Sequence, residues 1–397
     1  MDHPGVEGLV GQRKSASGKQ DRVRATTYAA AGVDAVKAED SLAGLIKWVK
    51  KSESLREGAG APVMDIGYFA NVIRLTDTLG LAISTDGVGT KILVAQQMDR
   101  YDGVGIDCIA MNVNDILCVG AEPLAMVDYL AVEEADAGML SRIGESLYRG
   151  ARQARIVIPG GELAQVREML HGSVEGRAFD LVGTAVGTVE LDRIISGDHL
   201  ADGDVVIGIA ASGLHSNGFT LARRVIEQAG WSLDRHVDEL GCPVGEALLE
   251  PTVIYVPHVN ALRGAGVRLK ALIHVTGDGL LNLARVKSSA SFVLDCLPEP
   301  LPVFQVIQNL GGVEEGEMYA TFNMGIGFCV VCPEEDSAAC VDALGLGGWD
   351  AWRIGRVVAD GGREVRLPSR GLVGKGKTFR PVRNPDQRIQ DARRINR

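Results

Sequence analysis

Apolar residues recur along this chain with two periods, 3.6 and 2, and the changes of period mark where helices give way to strands. Leu42, Leu45, Ile46 and Val49 fall on one face between Ser41 and Lys51, which predicts a helix. A second helix is predicted over Gly67 to Thr76, through Phe69, Val72, Ile73 and Leu75. Leu81-Ala-Ile-Ser-Thr85 reads as a short strand running into the tight loop Asp86-Gly-Val-Gly-Thr-Lys91. Residues 104–118 have a helical stripe of Ile106, Ile109, Ala110, Val113, Ile116 and Leu117. A strand over Ala125–Ala131 and an amphipathic helix over 138–154 follow. Ile156-Val-Ile-Pro reads as a strand closed by Gly160-Gly161-Glu162, and residues 180–189 as a β-rich stretch.

Between Ile194 and Asp204 the texture becomes turn-rich, and a domain boundary is placed there. The second half opens with a strand at Asp204–Ala210. It continues with a helix over 218–229, an apolar run ending in Ile273-His-Val-Thr-Gly-Asp-Gly279, and a strand at Gly325–Cys332. The expected organisation is a flexible arm (1–24), an N-terminal domain (25–195), a C-terminal domain (196–365) and a basic, solvated tail (366–397).

Composition narrows the function. Apolar residues are 46% and charged residues 23%, so the chain can bury an ordinary core. The 51 acidic against 41 basic residues give a net charge of −10, which argues against general nucleic-acid binding. A net-acidic protein still holds phosphates locally, through backbone N–H groups and divalent cations. The seven cysteines are scattered. Cys329-Val-Val-Cys332 lies alone inside an apolar run, without a second pair at zinc spacing, and reads as buried thiols in a reducing compartment. No apolar run reaches the roughly 18 residues that cross a membrane, and no secretory signal is evident, so a cytoplasmic protein is expected.

Four segments carry candidate chemistry. In Asp86-Gly87-Val88-Gly89-Thr90-Lys91 the glycines allow backbone to approach an anion, Asp86 suits a hard cation, and Lys91 suits phosphate oxygens; the spacing is not that of a Walker A loop. On the 104–118 helix, Asp107, Asn114 and Asp115 share a face opposite the apolar stripe. The two carboxylates stand about 12 Å apart along that face, too far for one ion, so each is expected to join Asp86 on a polyphosphate or to face solvent. Gly160-Gly161-Glu162 offers either a backbone nest beside a carboxylate or a plain turn. Ser212-Gly-Leu-His215-Ser216-Asn217-Gly218 opens a helix whose N-terminus suits phosphate, with His215 either an acid–base group or a structural hydrogen-bonding residue.

Together these segments resemble the phosphoribosylformylglycinamidine cyclo-ligase (aminoimidazole ribonucleotide synthetase) family. The similar stretches are Ala31-Gly-Val-Asp34, Ser84–Lys91, Gly105–Asp115, Gly120-Ala-Glu-Pro-Leu124 with Asp128-Tyr129, Ser212–Gly218, Leu249-Glu-Pro-Thr252, Tyr255, His274-Val-Thr-Gly277 and Met318–Gly327, in order from about Tyr28 to Val357. The resemblance implies an α/β N-terminal domain whose strands form a barrel across the two-fold axis of a homodimer, and an α+β C-terminal domain. It implies ATP and Mg²⁺ as cofactors and formylglycinamidine ribonucleotide as substrate, its amide oxygen activated by phosphorylation before ring closure. Asp86, Asp107, Asp115 and Glu162 would carry metal. Gly87, Gly89, Thr90, Lys91, Asn114, Gly160, Gly161, Ser216, Asn217 and Gly218 would bind nucleotide and substrate. Asp86, Asp107 and His215 would be catalytic, with Asn323 assisting.

The sequence departs from the family's pattern in two places where anions should bind. Gly-Gly-Glu-Thr-Ala-Glu becomes Gly160-Gly-Glu-Leu163-Ala-Gln165, and Thr-Gly-Gly-Gly becomes Thr276-Gly-Asp278-Gly279. These changes motivate an alternative, a non-catalytic nucleotide-binding paralogue.

Overall fold

A computed structural model describes Thr27 and residues 35–382. The predicted N-terminal arm and Ala31-Gly-Val-Asp34 lie outside the described residues.

The first half comprises α1 (Ala35–Val49), β1 (Asn71–Arg74), β2 (Leu79–Gly87), α2 (Lys91–Met98), α3 (Val104–Cys118), β3 (Glu122–Val132), α4 (Ala137–Ala154), β4 (Gly161–Gln165) and β5 (Phe179–Glu190). Its five strands are ordered β1-β2-β5-β3-β4, antiparallel except for the parallel β3–β4 pair. Alternation sets the faces. Ala82, Ser84, Leu181, Ala185, Met126 and Leu130 point inward and are buried. Ile73, Leu81, Ile83, Val182, Val186, Val127 and Tyr129 occupy the other face, which no helix covers, and stay at least partly exposed.

The predicted helix over Gly67–Thr76 is instead β1 and the turn after it, hydrogen-bonded to β2 in register from Asn71↔Ile83 to Arg74↔Gly80. The β-branched pair Val72-Ile73 alternates one buried with one half-buried side chain, and Thr76 Oγ1 accepts from the Thr78 and Leu79 N–H groups to turn the chain. The helix at the chain's start does form, but Leu42, Leu45 and Val49 are exposed on it.

The second half comprises β6 (Val205–Ala210), α5 (Phe219–Gln228), β7 (His236–Val237), β8 (Cys242–Pro243), α6 (Val244–Leu249), α7 (Val256–Gly264), β9 (Ala271–His274), β10 (Ser291–Val293), α8 (Pro302–Gly311), α9 (Glu315–Thr321), β11 (Ile326–Cys332), α10 (Ser337–Leu346), β12 (Ala351–Val358), β13 (Val365–Leu367), β14 (Leu372–Lys375) and β15 (Thr378–Pro381). An eight-stranded sheet runs β15-β14-β13-β10-β12-β6-β11-β9. β6 and β11 sit at its interior and all but Ala210 of their residues are buried, hence their unbroken apolar sequences. Cys329 and Cys332 are free, buried thiols on β11.

Residues 372–381 are therefore not a solvated tail. They form a hairpin on the sheet edge, with Leu372 and Phe379 buried. The basic residues Lys375, Lys377 and Arg380 alternate around this apolar pair.

Between the halves lies α3. One side packs on β2 and β5, another on α4, and a third on β9 and α7. This explains why its polar face is not solvated: Asp107, Asn112 and Asn114 are each 0% exposed.

Candidate active site at the junction of the halves

The site begins at the C-terminal end of β2. Asp86, Gly183 of β5, Asp128 of β3 and Gly161 of β4 form one row across the sheet, pointing to the α3 face. Gly183 leaves room for α3: a Cβ there would stand 2.8 Å from Asn112 Nδ2 and 3.1 Å from Cys108 Sγ. Asn112 in turn donates to the Asp86 carbonyl at 3.0 Å. The Asp86 carboxylate accepts from the Gly87 N–H at 2.7 Å. Burial, and then the nearby Asp115 carboxylate, push the Asp86 pKa up to about 6.

Asp115, one of the helical acids, is thus near enough for its charge to act on Asp86. Its Oδ1 is 2.9 Å from His274 Nδ1, on the buried end of β9. Asn114 joins the halves: its Nδ2 donates to the Val253 carbonyl and its Oδ1 accepts from the Tyr255 N–H, each at 2.9 Å.

Asp107 and Lys91 are placed otherwise than expected. Lys91 Nζ is 2.9 Å from both carboxylate oxygens of Asp107, and 2.7 Å from the Glu250 carbonyl. Asp107 also accepts from the Thr252 N–H at 2.7 Å and its hydroxyl at 2.6 Å. Asp107 Oδ1 takes the ammonium and both Thr252 donors, Oδ2 has only the Lys91 charge beside it, and neither side chain is exposed, so neither is open to a metal or a phosphate from solvent. Burial holds the Lys91 pKa below its usual value, and Asp107 offsets part of this.

The 212–218 loop closes over the β2–α2 turn. Thr90 Oγ1 lies 3.2 Å from Thr220 Oγ1, and Ser216 Oγ lies 3.1 Å from Thr252 Oγ1. Gly87, Gly89 and Thr90 are thereby brought beside Ser216, Asn217 and Gly218. Gly89 (φ 72°) needs the left-handed region, and Thr90 starts α2 without a side-chain cap, which leaves backbone donors at the turn. Gly218 is demanded by space: a Cβ would sit 2.2 Å from the Phe322 ring. Asn323 holds the loop from behind, donating to the Gly213 carbonyl at 2.9 Å and accepting from the Gly325 N–H at 2.8 Å.

His215 is buried within this loop and is closed off from solvent. It is 1% exposed with φ 64°, its Nε2 accepts from the Ser212 N–H at 3.3 Å, and burial keeps it neutral, with a pKa well below the usual value. Gly160-Gly161-Glu162 is also displaced from its expected role. It opens β4 and does not close a strand; only a single bridge, Val157 to Ala125, precedes it. Gly161 is three strand spacings from Asp86, about 14 Å. Glu162 shares a row with Tyr129 on the opposite face and is exposed. Thr252, His274 and Asp128, which stand in the similar stretches but were given no role from the sequence, bind Asp107, orient Asp115 and flank Gly183.

Comparison with known proteins agrees with this geometry. Residues 67–189 match the model of the N-terminal domain of AIR synthase related proteins, and residues 201–368 that of their C-terminal domain. Phosphoribosylformylglycinamidine cyclo-ligase of Methanosarcina barkeri is 44% identical over 325 residues, 80% of this chain and 92% of the relative. That of Thermococcus kodakarensis is 43% identical over 347 residues, 87% and 99%. The chain belongs to the phosphoribosylformylglycinamidine cyclo-ligase family. Its fold is the two-domain fold of that family, and solved structures share it at low identity. AaThiL complexed with AMPPCP and TMP superposes with TM-score 0.58 at 18% identity, covering 84% of this chain and 96% of that one. A thiamine-monophosphate kinase from Stenotrophomonas maltophilia K279a gives 0.54 at 20%, covering 80% and 93%. Among the described residues no helix is long and apolar enough to cross a membrane.

Proposed function

We propose that this cyclo-ligase homologue closes the imidazole ring of formylglycinamidine ribonucleotide, giving aminoimidazole ribonucleotide, ADP and phosphate, as a cytoplasmic step of purine biosynthesis. The supporting observation is the pairing of Asp86 with Asp115 beside the Gly87–Thr90 turn and the Ser216–Gly218 loop, in a chain over 40% identical to named cyclo-ligases across four-fifths of its length.

The donor set fits a magnesium-bound nucleotide. The Asp115 charge adds to the cost of ionising Asp86, and a hard cation shared with phosphate oxygens would relieve it. Asp86 and Asp115 would hold Mg²⁺ together with the ligand's own oxygens; among the described residues no group of three His, Cys, Asp or Glu side chains could hold it alone. ATP, when bound, supplies the phosphoryl group that makes the amide oxygen a leaving group. The chain's own contribution is positioning. Gly89 and Thr90 present backbone donors, Ser216, Asn217 and Gly218 close the ligand from the second half, and His274 fixes Asp115. Lys91, Asp107 and Thr252 lock the halves together so that these groups stay aligned.

The uncovered face of the first sheet supports a homodimer. Its occupant would be a second copy of the same face, since Ile83, Val186, Val127 and Tyr129 leave an apolar patch there that a two-fold axis could pair with itself.

Incubation of the purified chain with formylglycinamidine ribonucleotide, ATP and Mg²⁺ tests the assignment. Equal amounts of ADP, phosphate and aminoimidazole ribonucleotide are expected. No substrate-dependent ADP release would refute it.

A further inference from the structure

The departure at Asp278 has a partner at the far end of the chain. The turn Thr276–Gly279 follows His274 directly and faces the 212–218 loop: a Cβ on Gly277 would stand 3.2 Å from Asn217 Oδ1. The Thr276 N–H donates to Asn282 Oδ1 at 2.9 Å. Gly279 (φ 53°) is wedged so tightly that a Cβ would lie 2.1 Å from the Tyr319 carbonyl oxygen. The turn is thus fixed on its inner side. On its outer side Lys377 Nζ donates to Asp278 Oδ2 at 2.8 Å.

Lys377 is delivered there by apolar packing. Lys375 pairs with Thr378, so Gly376 (φ 62°) and Lys377 are the two residues of the β14–β15 turn. The hairpin is seated by Phe379, whose ring lies 6.4 Å from that of Tyr319, and by Gly374, where a Cβ would stand 2.4 Å from Leu281. The ion pair is partly exposed, 31% and 24%, so it adds little to global stability. Its effect is local. An uncompensated carboxylate on this turn would make the field more negative one residue from Gly277, which borders Asn217 of the proposed ligand cleft.

We propose that Lys377 is a positioning residue of the ligand site: by neutralising Asp278 it lets the Thr276–Gly279 turn accept a phosphate-bearing ligand although the turn carries a carboxylate. This rests on the assignment of the cleft given above.

The test is a double-mutant cycle with Lys377→Ala, Lys377→Arg, Asp278→Asn and the double variant. Affinities for formylglycinamidine ribonucleotide and for ATP with Mg²⁺ are measured by calorimetry, and KM and kcat by steady-state assay. Lys377→Ala should weaken binding of at least one ligand about tenfold and raise its KM, with kcat within about twofold of wild type. Lys377→Arg should restore affinity. In the Asp278→Asn background, Lys377→Ala should have no effect. Unchanged affinity in Lys377→Ala, or an equal loss in both backgrounds, overturns the proposal. Absence of wild-type turnover defeats the functional assignment alone, because ATP calorimetry still reads the coupling. A wild-type chain that binds neither ligand overturns both.

Discussion

Lys91 of α2 and Asp107 of α3 form an ion pair in which neither side chain is exposed, and Thr252 of the second half donates twice to the same carboxylate. A pair of this kind holds two domains in register, because removing one member strands the other charge away from water. Asp107→Ala should therefore destabilise the protein by about 3–5 kcal/mol, and replacing Lys91 and Asp107 together with Met and Leu should cost distinctly less than the single change. Urea unfolding of the three proteins measures this. A cost below about 1 kcal/mol for Asp107→Ala would show that the buried pair does not couple the halves.

Asp86 gives the opposite sign. Its folded-state pKa of about 6 lies above the ordinary 3.8, so folding favours the protonated form. The stability contributed by that proton is present in full below about pH 4 and is lost as pH rises through 6. Asp86→Asn mimics the protonated state. Without ligand or metal it should stabilise the protein by about 1–3 kcal/mol at pH 8, with little gain at pH 4.5, while lowering turnover more than about 100-fold. Wild-type activity should fall as pH drops through about 6. Melting curves at the two pH values and a pH–rate profile decide it; an Asn variant that is active, or no more stable at pH 8, contradicts the assignment.

Much of this was legible in the chain. The stripe Ile106–Leu117 located α3, alternation located β5, and apolar runs located β3 and β6. α2 escaped notice because Lys91-Ile-Leu-Val-Ala-Gln-Gln-Met is buried on several sides and shows no polar face. β1 was misread because a four-residue strand beside Phe69 and Leu75 matches a helical spacing by chance; the alternation of Asn71-Val-Ile-Arg74 was the better signal. Residue type and spacing singled out Asp86 and Asp115 as candidates, and only the family resemblance decided for a metal-binding role. The role of Asp107 was not, since its partners Lys91 and Thr252 lie 16 and 145 positions away and only the fold brings them together.

The C-terminal hairpin also had to be seen folded. Its basic residues suggested a solvated tail over 366–397. Leu372 and Phe379 are in fact buried against the sheet edge and α9. Ending the chain after Gly371 should cost about 3–6 kcal/mol, at about 1.5–3 kcal/mol for each large apolar side chain returned to water. Ending it after Val382 should leave stability unchanged. Thermal melts of both truncations test this, and equal midpoints would show that the hairpin contributes nothing.

The outer face of the first sheet carries the last prediction. Val127 and Tyr129 are 45% and 46% exposed, and Ile83 and Val186 lie beside them on neighbouring strands. Burying such a face between two copies removes several large apolar side chains from water, at about 25 cal/mol per Å². A carboxylate in its centre would be trapped against its symmetry mate. Val127→Asp should therefore convert a dimer to a monomer. It should also leave the protomer folded, because the side chain points away from the α3 core. Light scattering reads the mass and circular dichroism the fold. A wild-type monomer, or a Val127→Asp variant that stays dimeric, would place the subunit contact elsewhere.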